Sequence, residues 1–154
     1  MIKILFMDVD GTLTDGTIYI GNNGEEFKCF NVKDGYGISQ ILKKNGIIPV
    51  VVTGRESKIV EERCRELGIV EVIQNSSDKV KDINKVLGKY GLKLEDAAYI
   101  GDDLNDLGAI KLVAISGSPA DAVDIVKKNC DYVTEALGGR GAVREFIEWV
   151  VDNT

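Results

Sequence analysis

The chain contains no histidine. That removes His-based triads, His general bases and His-ligated zinc from consideration. Cysteine is scarce, and Cys29, Cys64 and Cys130 are scattered and odd in number. They show no metal spacing, so they read as reduced thiols of a cytoplasmic protein. No apolar run is long enough to span a bilayer. The opening Met1-Ile2-Lys3-Ile4-Leu5-Phe6 lacks the parts of a signal peptide and reads directly as a strand. There is no positive excess either: the net charge of −6 makes nucleic acid an unfavourable partner. What remains for chemistry is carboxylates, Lys, Arg, Ser/Thr and Cys. The 154 residues suit one domain, and an apolar fraction of 44% suffices for an ordinary core.

Strand and helix signals alternate along the chain. Apolar runs at Ile2–Val9, Ile47–Val52, Val70–Ile73, Ala97–Ile100 and Leu112–Ile115 read as buried strands, with Tyr132-Val133 as a short last one. Between them, helical periodicity runs from Ile38 to Gly46, through Val60, Cys64 and Leu67, and through Val80, Ile83, Val86/Leu87 and Tyr90. Further helical stretches follow to Ile110, over Ala120–Lys128, and through Val143, Phe146, Ile147 and Val150. Ser77 or Asp78 caps the third helix. Thr17–Ile20 and Glu25–Phe30 flank Gly21-Asn22-Asn23-Gly24 as a hairpin. The expected fold is α/β, a parallel sheet with helices on both faces and a small β-hairpin flap over residues 17–30. A Gly-rich loop and helix close the domain over residues 138–154.

The carboxylates fall at strand ends. Asp8 and Asp10 end the first strand, and residues two apart on an extended chain share a face. Gly11 turns the chain, and Thr12 and Thr14 supply hydroxyls. An Asp-rich turn alone would account for part of this. Paired like charges are otherwise tolerated when a cation offsets them, and oxygen-only ligands favour Mg²⁺. Thr53-Gly54-Arg55 ends another strand, where a hydroxyl and free N–H groups suit a phosphate oxygen. The Arg55 fork suits a carboxylate or phosphate. Lys79 stands in a first helical turn, the wrong end of the dipole for a cation, which suggests a bound anion. Asp102, Asp103 and Asp106 form a second acidic cluster past a buried strand. Ligands of open parallel sheets bind at the carboxyl ends of strands, where Asp8, Asp10, Thr53 and Asp102 converge.

Asp8-x-Asp10-Gly11-Thr12, then Thr53, Lys79 and Asp102-Asp103, in that order, resemble the haloacid dehalogenase (HAD) superfamily of aspartyl phosphotransferases. The resemblance implies that Asp8 is the nucleophile and Asp10 the general acid and later base. It implies that Thr53, Gly54 and Lys79 hold the phosphoryl group. Asp8, Asp102 and the backbone carbonyl of Asp10 would bind Mg²⁺, with Asp103 and Asp106 supporting the metal shell. No cap-sized insertion follows Asp10 or Thr53, so the resemblance is to a capless member.

Several segments are specific below superfamily level: Gly21-Asn22-Asn23-Gly24-Glu25-Glu26, Phe30 to Gly37, and Gly138-Gly139-Arg140-Gly141-Ala142-Val143-Arg144-Glu145. They are similar to the 3-deoxy-D-manno-octulosonate 8-phosphate (KDO 8-phosphate) phosphatase family of lipopolysaccharide sugar biosynthesis. That resemblance implies a sugar acid phosphate substrate and a homotetramer in which neighbouring hairpins and C-terminal segments complete each site. Arg55, Gly139 and Arg140 would contact substrate. A related family acting on nine-carbon 2-keto-3-deoxy sugar acid 9-phosphates carries Glu at the position of Arg55 and lacks Arg140. Thr12 departs from the pattern, where Val is expected. A non-catalytic oligomerisation module of this fold, or a domain that merely accepts phosphate, would not need both Asp8 and Asp10.

Overall fold

The computed structural model describes residues 1–154. Six strands form one parallel sheet: β1 (Ile4–Met7), β4 (Ile48–Val52), β5 (Glu71–Ile73), β6 (Ala97–Ile100), β7 (Ile115–Ser118) and β8 (Tyr132–Val133). Their order is β5-β4-β1-β6-β7-β8. β2 (Tyr19–Ile20) and β3 (Glu26–Phe27) make the separate antiparallel hairpin. The chain winds outward from β1 in both directions, so a topological switch point lies beside β1 at the strands' carboxyl ends.

Alternation along the strands divides the core. Leu5, Met7, Val51, Ala98 and Ile100 face one layer, and Ile4, Phe6, Val50, Val52, Ala97 and Tyr99 the other. The first layer is closed by α1 (Val32–Tyr36) with its π-helical continuation to Leu42, α2 (Lys58–Leu67) and α6 (Ala142–Asn153). The second is closed by α3 (Lys79–Tyr90), α4 (Leu107–Ile110) and α5 (Asp124–Asn129). Helices and strands are apolar on these faces because each fully buried Leu, Ile or Phe contributes about 1.5–3 kcal/mol. Ser57 and Asp78 cap α2 and α3 by accepting from backbone N–H groups, as side-chain oxygens at helix starts do.

Three expectations shift. β7 is Ile115–Ser118, not Leu112–Ile115. Its second half is polar or small, yet buried and satisfied. Ser116 pairs with Asp131, Ser118 lies 3.2 Å from Cys130 Sγ, and Gly117 leaves room for the Phe146 ring. α5 begins only at Asp124, because Pro119 to Val123 form a turn and an extended residue. The hairpin strands are two residues each, although a Thr14–Phe30 bridge closes its base.

The last helix is tied to α1. Asp34 is buried, and its Oδ1 accepts from the Arg144 N–H at 2.9 Å. A side chain in α1 thereby satisfies a first-turn donor of α6. Burial pushes the Asp34 carboxyl above its ordinary range.

Candidate active site

The ends of β1, β4 and β6 deliver Asp8, Thr53 and Asp102 to one place. Asp8 is held by its backbone N–H to the Ile100 carbonyl at 3.1 Å and is buried. Lys79 reaches it from the first turn of α3. Its Nζ donates to Asp8 Oδ1 at 2.8 Å and to Asp106 Oδ1 at 2.7 Å, with the Lys79 side chain 2% exposed. The anion expected beside this cation is therefore a pair of carboxylates of the chain itself. Asp106 is fully engaged: Oδ1 also accepts from the buried Tyr99 hydroxyl, and Oδ2 from the N–H groups of Asp102 and Asp103. Thr12, the departure noted in the motif, donates its hydroxyl to Asp102 Oδ1 at 3.1 Å.

Carboxylate oxygens of Asp8, Asp102 and Asp106 lie within 4.8 Å of one another. Three carboxylates face one ammonium, so the cluster carries an excess of negative charge. Burial, then the Asp106 charge, raises the Asp8 carboxyl well above its usual range despite Lys79. Burial pushes Asp102 up to about 6. For Lys79 burial works against the charge, but Asp8 and Asp106 outweigh it and raise the ammonium above its ordinary value. A hard divalent cation fits this set: the donors are all oxygen, and Asp102 is the carboxylate that Lys79 leaves unpaired. Asp8 and Asp102 are the side chains with capacity to ligate. Asp106 is spent on Lys79, Tyr99 and backbone, which suits a supporting part. Gly11, at φ +88°, passes so close to Asp102 that a Cβ there would collide with the carboxylate.

Asp10 turns away from the cluster. Its Oδ1 accepts from Lys28 Nζ at 2.6 Å, and Lys28 also pairs with Glu26 at 3.3 Å. Glu26 in turn accepts from Arg55 at 3.1 Å. Asp8, Asp10, Thr53, Gly54 and Arg55 line a cleft of about 160 Å³ together with Asp103 and Asn105. Asp103 is exposed there and caps Leu104.

Gly139 and Arg140 do not line this cleft. The Gly139 N–H donates to the Thr12 carbonyl at 3.0 Å, and at φ +70° a Cβ would strike the Thr14–Asp15 backbone. Gly139 thus supports the loop that carries Asp10, and Arg140 is exposed beside Asp15. Sequence reasoning did not single out Lys28, Glu26, Tyr99 or Asn105. Alternation in the hairpin was the available signal for the first two, since Glu26, Lys28 and Phe30 share its inner face.

The site defines a class that known proteins share. The sequence pattern of haloacid dehalogenase-like hydrolases matches residues 65–147. The 3-deoxy-D-manno-octulosonate 8-phosphate phosphatase of Salmonella typhi is 49% identical over 147 residues, 96% of this chain and 78% of that protein. That of Escherichia coli K12 is 48% identical over the same shares. The crystal structure of the Moraxella catarrhalis phosphatase, in complex with magnesium, phosphate and KDO, superposes with a TM-score of 0.95 at 42% identity. The match covers 98% of this chain and 86% of that one. The cobalt-bound Haemophilus influenzae phosphatase gives 0.93 at 38% identity, covering 98% and 88%. The chain belongs to the KDO 8-phosphate phosphatase family of HAD-like hydrolases.

Proposed function

We propose that the protein hydrolyses KDO 8-phosphate to KDO and phosphate, with Mg²⁺ as cofactor. The observation that carries this is the buried Asp8–Lys79–Asp106 cluster opening onto a cleft lined by Asp10, Thr53 and Arg55. A relative of the same fold holds magnesium, phosphate and KDO. The first named relatives act on the eight-carbon substrate, which favours it over the nine-carbon sugar acid phosphates.

Asp8 attacks phosphorus and forms an aspartyl phosphate while the P–O bond to the sugar breaks. Asp10 gives its proton to the departing alkoxide, then takes one from the water that releases phosphate. Thr53, Gly54 and Lys79 hold the phosphoryl oxygens. A phosphate cannot approach these carboxylates unaided, because two like charges at 4 Å repel by about 4 kcal/mol at an effective dielectric near 20. Asp8, Asp102 and the Asp10 carbonyl would hold magnesium, which offsets that repulsion when bound. Arg55 exchanges Glu26 for the substrate's carboxylate.

The cleft has no lid, and the hairpin exposes Ile18, Tyr19, Ile20 and Phe27. These features support a homotetramer in which hairpins pack together and Arg140 reaches a neighbour's cleft. Three thiols outside disulfides accord with the cytoplasm, and the product would serve lipopolysaccharide sugar synthesis. A panel of sugar acid phosphates and neutral hexose phosphates, with Mg²⁺ and with chelator, tests the activity. KDO 8-phosphate should be the best substrate and chelator should silence it; preference for a nine-carbon acid or a neutral sugar would overturn the reading. Mixing Asp8→Asn with Arg140→Ala subunits tests assembly. Regained activity supports a residue acting across subunits, and no rescue argues against it.

A further inference from the structure

The hairpin does more than overhang the cleft. Its inner face carries Glu26 and Lys28, and its outer face Phe27 and Cys29, because successive residues of a strand point to opposite sides. Lys28 is drawn in until its side chain is only 3% exposed, which long cations resist unless paired. Its partners are Asp10 at 2.6 Å and Glu26 at 3.3 Å. Glu26 Oε1 is shared with Arg55 at 3.1 Å. Asp10–Lys28–Glu26–Arg55 is thus an unbroken chain of ion pairs. It runs from the residue read here as the general acid to the residue read here as the grip on the substrate's carboxylate.

We propose that Lys28 is a positioning residue for Asp10 and that Glu26 ties this positioning to Arg55. The inference rests on the acid–base reading of Asp10. Lys28 takes Asp10 Oδ1, which restrains the rotation of the carboxyl group and leaves Oδ2 outside that contact, on a residue that lines the cleft. When the sugar leaves, Oδ2 gives its proton to the bridging oxygen as the P–O bond breaks. In the second half-reaction the same oxygen takes a proton from the attacking water. Lys28 keeps all its protons throughout; it sets geometry and transfers nothing. Charge-assisted contacts of this length are the strong ones, and a carboxyl held by one is not free to swing toward the metal ligands. Arg55 is 47% exposed and the outermost link, so it can leave Glu26 for a substrate carboxylate without breaking the Lys28–Asp10 contact.

Dependence on the leaving group separates this role from a merely structural one. An alkoxide needs a proton to depart, whereas p-nitrophenolate departs without one. Lys28→Met should lower kcat for KDO 8-phosphate by about tenfold or more, within the range of general acid catalysis. KM should change little, and p-nitrophenyl phosphate turnover should fall by less than about threefold on the same scale. Lys28→Arg should restore part of the loss. Thermal melting of each variant checks that the hairpin's change has not unfolded the protein. Equal loss on both substrates, or no loss on KDO 8-phosphate, overturns the role of Lys28. Asp10→Asn is measured alongside. If it shows the leaving-group pattern and Lys28→Met does not, only this inference fails. If Asp10→Asn lacks the pattern, the acid–base reading of Asp10 fails and this inference with it.

Discussion

The two halves of the site are both built from ion pairs, but they rest on different supports. Asp8, Lys79, Asp106 and Tyr99 are anchored by β1, α3 and β6, and all four are buried. Asp10, Lys28, Glu26 and Arg55 are anchored by a turn and a hairpin of two-residue strands, with Arg55 half exposed. The rigid half contains groups whose charges must not move as phosphorus changes partners. In the proposed reaction the flap half carries the acid–base group and the grip on the substrate's carboxylate. A preorganised core beside a more exposed rim separates the groups that meet the phosphoryl group from those that meet the sugar acid in the proposed reaction.

Breaking the rigid half should cost most. Asp8→Asn removes the nucleophile, and kcat should fall by on the order of 10⁴-fold or more. Near wild-type phosphate release would end the assignment. Lys79→Met leaves Asp8 and Asp106 buried without their cation, so stability should fall by about 3–5 kcal/mol along with activity. Chemical denaturation reads this directly, and an unchanged midpoint would mean the cluster is not ion-paired in solution.

Metal removal gives an intermediate effect with a defined pH sign. In chelator the folded protein holds Asp102 at about 6, above the unfolded carboxyl, so folding binds protons there. The contribution of Asp102 to stability is then fully present below about pH 4, the unfolded value, and is lost as pH rises through about 6. The difference in melting between the protein and Asp102→Ala in chelator should show that fall, and Mg²⁺ should abolish it at pH 7. A difference that rises between pH 4 and 6 would contradict the sign.

Arg55, the outermost link of the flap half, should respond most mildly. Arg55→Ala should raise KM for sugar acid phosphates by roughly tenfold, the scale of one charge-assisted hydrogen bond. Neutral hexose phosphates should be nearly unaffected. Equal loss on both would make Arg55 part of the scaffold and blur the division between the two halves.

The same division explains what could be read in advance. Asp8, Thr53 and Asp102 were legible because an apolar run announces a strand and a strand's end announces a ligand site. Lys79 was legible because a cation stood where a helix repels one. Lys28 was not, since a lysine in a hairpin reads as a solvated charge until the fold shows what it faces. Tyr99 read as core, and its hydroxyl matters only because Asp106 lies against it. β7 was displaced because Ser116, Gly117 and Ser118 are polar or small, and their burial depends on partners at Cys130, Asp131 and Phe146. Such long-range satisfaction leaves no local pattern.

The Gly139 contact with Thr12, and the Asp34 carboxylate at the start of α6, join the two extremes of the sequence beside the catalytic loop. The loop bearing Asp10 therefore obtains part of its support from residues far away in the sequence. Asp8 is set by contacts with Ile100 and Lys79, whereas the loop that follows it is braced only when α6 has docked. Contacts spanning this much sequence also form slowly. The geometry of that loop is thus set by tertiary docking and not by the local sequence around it.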